Sequence, residues 1–145
     1  MIHRILSLLL VVAGSALASP REDAIALVND AAKFVQAQGA EKALPELNKP
    51  EGKWVQGDLY VFAYNMTGVM VAHPKNAKLV GKNMLDIPDV DGKFFRREIL
   101  EIAKSKGSGW VDYKYKNPET GKVEPKTTYL KKVGDIVLCC GIYKE

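Results

Sequence analysis

The sequence predicts an α+β domain in which helices pack on one antiparallel sheet of about five strands. Three observations predict it. A long early stretch carries apolar residues at 3–4 spacing, a hairpin of alternating residues follows, and the last third reads as a three-strand meander.

The first residues stand outside the fold. Met1 to Arg4 is a short basic start, and Ile5 to Val12 is an apolar run too short to span a bilayer as a helix. Ala16-Leu17-Ala18 is an A-x-A cleavage pattern. Together they predict a signal peptide over residues 1–18, cut after Ala18, and a mature domain over residues 19–145 that is periplasmic or secreted. No later segment approaches a membrane span, so no membrane insertion is expected after cleavage.

Each element has its own local reason. Arg21 to about Gly39 carries two adjacent apolar stripes, Ala24-Leu27-Ala31-Phe34 and Ile25-Val28-Ala32-Val35. Their spacing is helical, and their width suits a sheet on one side and a partner helix on the other. A homodimer through this helix (residues 21–39) is therefore an expectation. Ala40 to Leu47 continues as a short helix, with Pro45 at or near a break. "NKPEGKWVQGD" is a turn-rich connection, and residues 54–145 are expected to hold the sheet and a crossing helix.

Leu59 to Tyr64 alternates, with Tyr60, Phe62 and Tyr64 on one face, and Val69 to His73 returns after the tight turn "NMTG". Pro74 to Asp91 has little periodicity; at about seventeen residues it is the kind of long loop that often serves function. Asp91 is placed to cap a helix from Gly92 to Lys106, with Phe95, Ile99 and Ile102 as its apolar face and Gly107 to end it. Trp110 to Lys116, Thr127 to Val133 and Ile136 to Tyr143 are the closing strands, joined by "NPETGK" and Gly134-Asp135.

Charge and cysteine usage exclude several classes. Without Arg4 the chain keeps 20 basic and 17 acidic residues, scattered and mixed, which is no nucleic-acid footprint. Cys139 and Cys140 are neighbours; in a strand they point to opposite faces and read as two small hydrophobes. There is no C-x-x-C-H, and Asp86, Asp89 and Asp91 lack the spacing of a calcium loop. No cofactor or metal is expected.

His73 is the one histidine after the leader. Zinc would need further ligands, and catalysis would need a nucleophile and an orienting acid; neither set is present around it. Two readings stay level: a strand-end histidine that satisfies loop backbone, and a hydrogen-bonding group at the edge of a pocket. The tyrosines divide in the same way between core and pocket wall. Tyr113 and Tyr115 share a strand face, as do Tyr60 and Tyr64, while Trp110 falls opposite Tyr113.

"DLYVFAYNMTGVMVAHPKNAKLVGKNMLD", followed by "GWVDYKYKNPETGKVEPKTTYLKKVGDIVLCCGIY", resembles the single Cache domain of the type 2 family, the extracytoplasmic sensing domains of bacterial chemoreceptors and sensor kinases. The resemblance rests on Ala72-His73-Pro74, Gly81 with Asn83, Tyr113 and Tyr115, Pro118, Pro125-Lys126, Tyr129 and Gly141-Ile142-Tyr143. It implies a PAS-like fold with a long N-terminal helix on a five- to six-stranded antiparallel sheet. It also implies a small-molecule ligand, commonly a short carboxylate, held between the sheet and the crossing loops. Lys126 would then be the cation, Tyr113, Tyr115 and Tyr129 would supply hydroxyls and walls, and His73, Tyr64 and Tyr60 complete the expected ligand-binding set.

Two positions depart from the pattern: Tyr115 stands where Trp is frequent, and Asn65 where Asp is frequent. Receptors of the family continue into a transmembrane helix, whereas this sequence ends at Glu145. The expectation is a free-standing, non-enzymatic binding domain, with docking onto a membrane sensor kinase or chemoreceptor as the alternative.

Overall fold

A computed structural model describes residues 18–143; the signal peptide expected over residues 1–18 lies almost entirely outside them. Two helices, α1 (Pro20–Gln38) and α2 (Ala40–Leu47), precede β1 (Val55–Gln56), β2 (Leu59–Asn65) and β3 (Met70–Ala72). A lid of residues 74–91, with one 3-10 turn at Ala77–Leu79, leads to α3 (Phe95–Ser105). The meander β4 (Ser108–Lys116), β5 (Val123–Val133) and β6 (Ile136–Tyr143) closes the fold. Six strands form one sheet in the order β1-β2-β6-β5-β4, with β3 on the same outer edge of β2 as β1. All pairings are antiparallel.

The sheet separates two apolar layers. On one face, Leu27, Val28, Ala31 and Val35 of α1 and Leu47 of α2 pack against Val61, Ala63, Leu138 and Cys140. Both stripes of α1 meet the chain's own sheet and α2: Val28, Ala32 and Val35 are buried, and Ile25 is half-buried. Ser19 starts this helix by accepting the Glu22 N–H at 3.2 Å. On the other face, Phe95, Ile99, Leu100 and Ala103 of α3 cover Tyr60, Phe62, Tyr64, Met70, Val111, Tyr113, Leu130 and Cys139. Cys139 and Cys140 thus stand on opposite faces, both buried and free.

Several local expectations shift. Pro45 lies inside α2, which runs on to Leu47 without a break; a two-turn helix anchored by buried Leu47 tolerates one missing hydrogen bond. The turn-rich connection contains the short strand β1, and β5 starts at Val123 rather than Thr127. Asp91 does not cap α3, whose first residue follows Phe94 with no side-chain cap. The chain before α3 is pinned by Asp89 instead, which accepts the N–H groups of Asp91, Lys93 and Lys114 at 2.9–3.0 Å. Slight desolvation acts against ionisation of Asp89, but these donors outweigh it and hold the carboxyl below its usual range.

The lid is tied through backbone hydrogen bonds to the β2–β3 hairpin. Met70 N–H donates to Lys82 O, Gly81 N–H to Met70 O, and Met84 N–H to Gly68 O, all within 2.9 Å. Gly68 has φ +94, and a side chain there would strike Leu85 of the lid.

Candidate functional site

Strand register builds the site. Lys126 on β5 lies directly between Tyr113 of β4 and Tyr143 of β6, and residues paired across antiparallel strands share a face. Tyr60, Phe62 and Tyr64 extend that face along β2. The lysine stem needs room within the sheet, and Gly141 supplies it. A Cβ on Gly141 would collide with Lys126 Cε and lie 2.6 Å from Thr128 Oγ1.

The result is a fully buried ammonium inside an aromatic cage. Lys126 is 1% exposed. Its Nζ sits 4.9 Å from the ring centres of Phe62 and Tyr115, 5.1 Å from Tyr143, 5.2 Å from Tyr60 and 5.9 Å from Tyr113. Such contacts attract a cation through the ring quadrupole. Its hydrogen bond is a long one, 3.4 Å to the Tyr60 hydroxyl. The ion pairs of the described residues, Lys49–Glu46, Lys93–Glu98, Arg97–Asp86 and Lys114–Asp91, are all at the surface. None reaches this ammonium. Burial therefore draws the Lys126 pKa down to about 8.

His73 joins the cage from the start of the lid. Its ring stacks on Phe62 at 5.8 Å and tilts against Tyr60 at 5.3 Å. It is 3% exposed, and its Nδ1 has no hydrogen-bond partner. Burial, and then the charge of Lys126, push its pKa down to about 4, so the ring is neutral at pH 7. Its backbone is held by Asn48, whose side chain accepts the His73 N–H at 2.9 Å and donates to Val71 O at 3.1 Å. Tyr113 stacks flat on Phe95, with centres 3.9 Å apart, and bonds Thr128 through its hydroxyl at 2.8 Å. Burial raises the hydroxyls of Tyr60, Tyr64 and Tyr113 well above the ordinary tyrosine value, so they are donors at any physiological pH.

Phe62, Tyr64, Met70, His73, Phe95, Tyr113, Tyr115 and Lys126 enclose a gap of about 180 Å³, none of it wide enough to seat a water molecule. Entry of even a two-carbon ligand requires the lid or the Lys126 side chain to move. A solvent cleft lies outside the gap, walled by His73 and Tyr115 and rimmed by Lys75 and Lys116.

Six of the seven residues expected from the sequence come together here: Lys126, Tyr113, Tyr115, His73, Tyr64 and Tyr60. Tyr129 does not. It is on the α1 face, 5.4 Å from Trp110, because an odd number of strand positions separates it from Lys126. That alternation was already visible in the sequence.

Arg96 was missed. It is 3% exposed and donates from Nε to Tyr64 Oη at 3.1 Å and from Nη1 to Ile87 O at 3.2 Å, tying the sheet to the lid. The signal was present: Arg96 lies three and four residues before Ile99 and Leu100, on the apolar face of the helix. Tyr143 and Gly141 were visible as part of the closing motif, but their link to Lys126 depends on the register between β5 and β6. Asn65 forms the hairpin turn, accepting from Thr67 N–H, Thr67 Oγ1 and Val69 N–H at 2.9–3.0 Å.

Comparison with known proteins agrees with this architecture. The sequence is 34% identical over 73 residues to the sensor histidine kinase MctS of Rhizobium johnstonii, covering 50% of this chain and 16% of that protein. The match thus spans about a sixth of the relative's length. Among solved structures, a Cache chemosensory domain studied for carboxylic acid recognition superposes with a TM-score of 0.72 at 27% identity, covering 86% of this chain and 92% of that one. A periplasmic sensor domain of a chemotaxis protein superposes with a TM-score of 0.68 at 25% identity, covering 86% and 90%. The family model described as "Cache domain" matches residues 22–144, and with that extent of agreement in sequence and fold the chain belongs to the Cache domain family.

Proposed function

We propose that this chain is an exported sensing domain that binds a short carboxylate in the Lys126 cage and performs no chemistry on it. One observation carries the reading: an ammonium 1% exposed, surrounded by rings and without a carboxylate partner among the described residues. Burying a charge unpaired is costly, and a ligand carboxylate removes that cost by supplying the missing anion. The tyrosine hydroxyls and the free His73 Nδ1 supply hydrogen-bonding groups, while Phe62, Met70 and Phe95 wall a tail of one to three carbons. Likeness to a domain studied for carboxylic acid recognition supports the same ligand class.

Titration calorimetry with acetate, propionate, pyruvate and lactate tests this, with the matching neutral amides as controls. Lys126→Ala should weaken binding by about 2–5 kcal/mol, since it removes the partner of a desolvated carboxylate. Unchanged binding in that variant would sink the assignment. If none of these acids binds or shifts the melting temperature, docking onto a membrane sensor kinase or chemoreceptor becomes the better reading.

A further inference from the structure

The lid is anchored unevenly. From residue 81 onward it is fixed to its neighbours. Gly81 N–H and Met84 N–H donate to the β2–β3 hairpin, Arg96 holds Ile87 O, Arg97 pairs with Asp86 at 2.8 Å, and Asp89 gathers three backbone N–H groups. Residues 75–80 differ. Among the described residues, their backbone hydrogen bonds stay within the lid: Leu79 N–H donates to Asn76 O and Val80 N–H to Ala77 O, both at 3.2 Å, and Leu79 O accepts from Lys82 N–H at 3.1 Å. Lys75, Asn76, Ala77, Lys78 and Val80 are exposed, and Leu79 is half-buried against the aromatic layer.

This lightly held stretch forms one wall of the solvent cleft outside the cage. Lys75, Asn76 and Leu79 line it together with Tyr115 and Lys116 of β4, around about 900 Å³ including the open mouth. The opposite wall is fixed. The β4–β5 hairpin closes on itself through Asn117 N–H to Lys122 O and Gly121 N–H to Asn117 O, both at 2.8 Å, and Glu124 accepts from Asn117 and Thr120. His73 and Tyr115 border both this cleft and the inner gap. Other approaches to the gap meet firmer structure. Toward α3, Phe95 is 1% exposed and stacked on Tyr113; toward the sheet edge, the way lies through the β4–β5 pairing at Tyr113 and Lys126. Lys75 on one lip and Lys116 on the other put positive charge on both sides of the mouth, which draws anions inward.

We propose that residues 75–80 are a flap that swings away from Tyr115 while residues 81–91 stay in place, and that anionic ligands reach Lys126 through the mouth it opens. The route rests on the carboxylate reading of the cage; the flap motion does not. Opening breaks no backbone hydrogen bond to the rest of the domain among the described residues, so the apolar contacts of Leu79 are its main latch.

The first test needs no ligand. Amide relaxation dispersion on the mature chain should show microsecond–millisecond exchange over residues 75–80 and not over residues 82–91. Exchange spread evenly over residues 75–91, or absent from 75–80, would overturn the flap. The second test reads association and dissociation rates separately, from the line shapes of carbon-13-labelled propionate. Lys75→Glu with Lys116→Glu should slow association about fivefold and leave dissociation within about twofold, the difference vanishing in about 0.5 M salt. Leu79→Ala should speed both rates together and leave the dissociation constant within about threefold. Val90→Trp, which alters the cleft beside Phe95 on the α3 side, should change neither rate. Slower association in Val90→Trp would move the entry to that side and overturn the route. Propionate binding with rates untouched by the lysine reversals and by Leu79→Ala would overturn it too, and would leave the cage reading standing. If acetate, propionate, pyruvate and lactate all fail to bind the wild type, the cage reading and the route fall together, and the exchange pattern alone decides the flap.

Discussion

At pH 7 a protonated Lys126 is a cost to the folded chain, because its folded pKa of about 8 lies below the 10.5 of a free lysine. Between those values the unfolded chain holds a proton that the folded chain has released, so stability should rise with pH from about 8 to 10.5. Lys126→Met should remove the cost while keeping the stem. We expect the variant to melt higher, with a gain of about 1–4 kcal/mol, and to lose carboxylate binding. A lower melting point in urea or heat would make Lys126 a structural residue. The same pKa sets the binding profile: carboxylate affinity should be level from pH 6 to 7.5 and fall by up to tenfold per unit above about 8. A profile level to pH 10 would exclude Lys126 as the ligand's cation. Gly141→Ala is the matching steric test. Its methyl would displace the Lys126 stem, with an overpacking cost of about 1–3 kcal/mol, and should weaken carboxylate binding along with stability.

Among the elements, the lid carries the most tertiary information. The strand end that leads into it hangs on Asn48 at the end of α2, which pairs with both Val71 O and His73 N–H. Asn48→Ala leaves both groups without that partner and should cost about 1–3 kcal/mol. Amide exchange should then rise over residues 71–76 more than over β5 and β6; a uniform rise would show that Asn48 supports the whole fold rather than the lid hinge. Elsewhere the lid is held by Arg96 and Asp89, neither of which reads as a clasp in the sequence. Asp91 has the better position for a helix cap, yet Asp89 takes the N–H groups because the chain turns at Gly92, φ +81, before α3 begins.

For the whole molecule, His73 sets a second pH window. Its folded pKa of about 4 lies below the unfolded 6.5, so the unfolded chain takes up a proton that the folded chain refuses. Stability should fall as pH drops from 6.5 toward 4, by at most about 1.4 kcal/mol per unit from this group. Urea titrations at pH 4.5, 5.5 and 6.5 should show a shallower fall in His73→Phe, and an equal slope in both proteins would contradict the burial of a neutral ring. Ligand linkage acts on the same global equilibrium: a short carboxylate at a hundred times its dissociation constant should add about 2.7 kcal/mol.

Much of the architecture was legible without coordinates. Helix and strand periodicities placed α1, the β2–β3 hairpin and the meander, since apolar residues must fall on one side of whatever element they form. The alternation of Tyr60, Phe62 and Tyr64, and of Tyr113 and Tyr115, put the aromatics on shared faces. Resemblance then singled out Lys126. Local pattern alone thus sets the fold class and which residues share a face of their own element. Which faces meet is a matter of packing between elements. That packing seats Lys126 between Tyr113 and Tyr143, over the space left by Gly141, and sends Tyr129 to the opposite layer. It also turns Arg96 inward to link the lid to the sheet. The physical reason is that local periodicity records which residues avoid water, whereas strand order and register, which decide what an avoiding residue touches, arise from packing between segments distant in the chain.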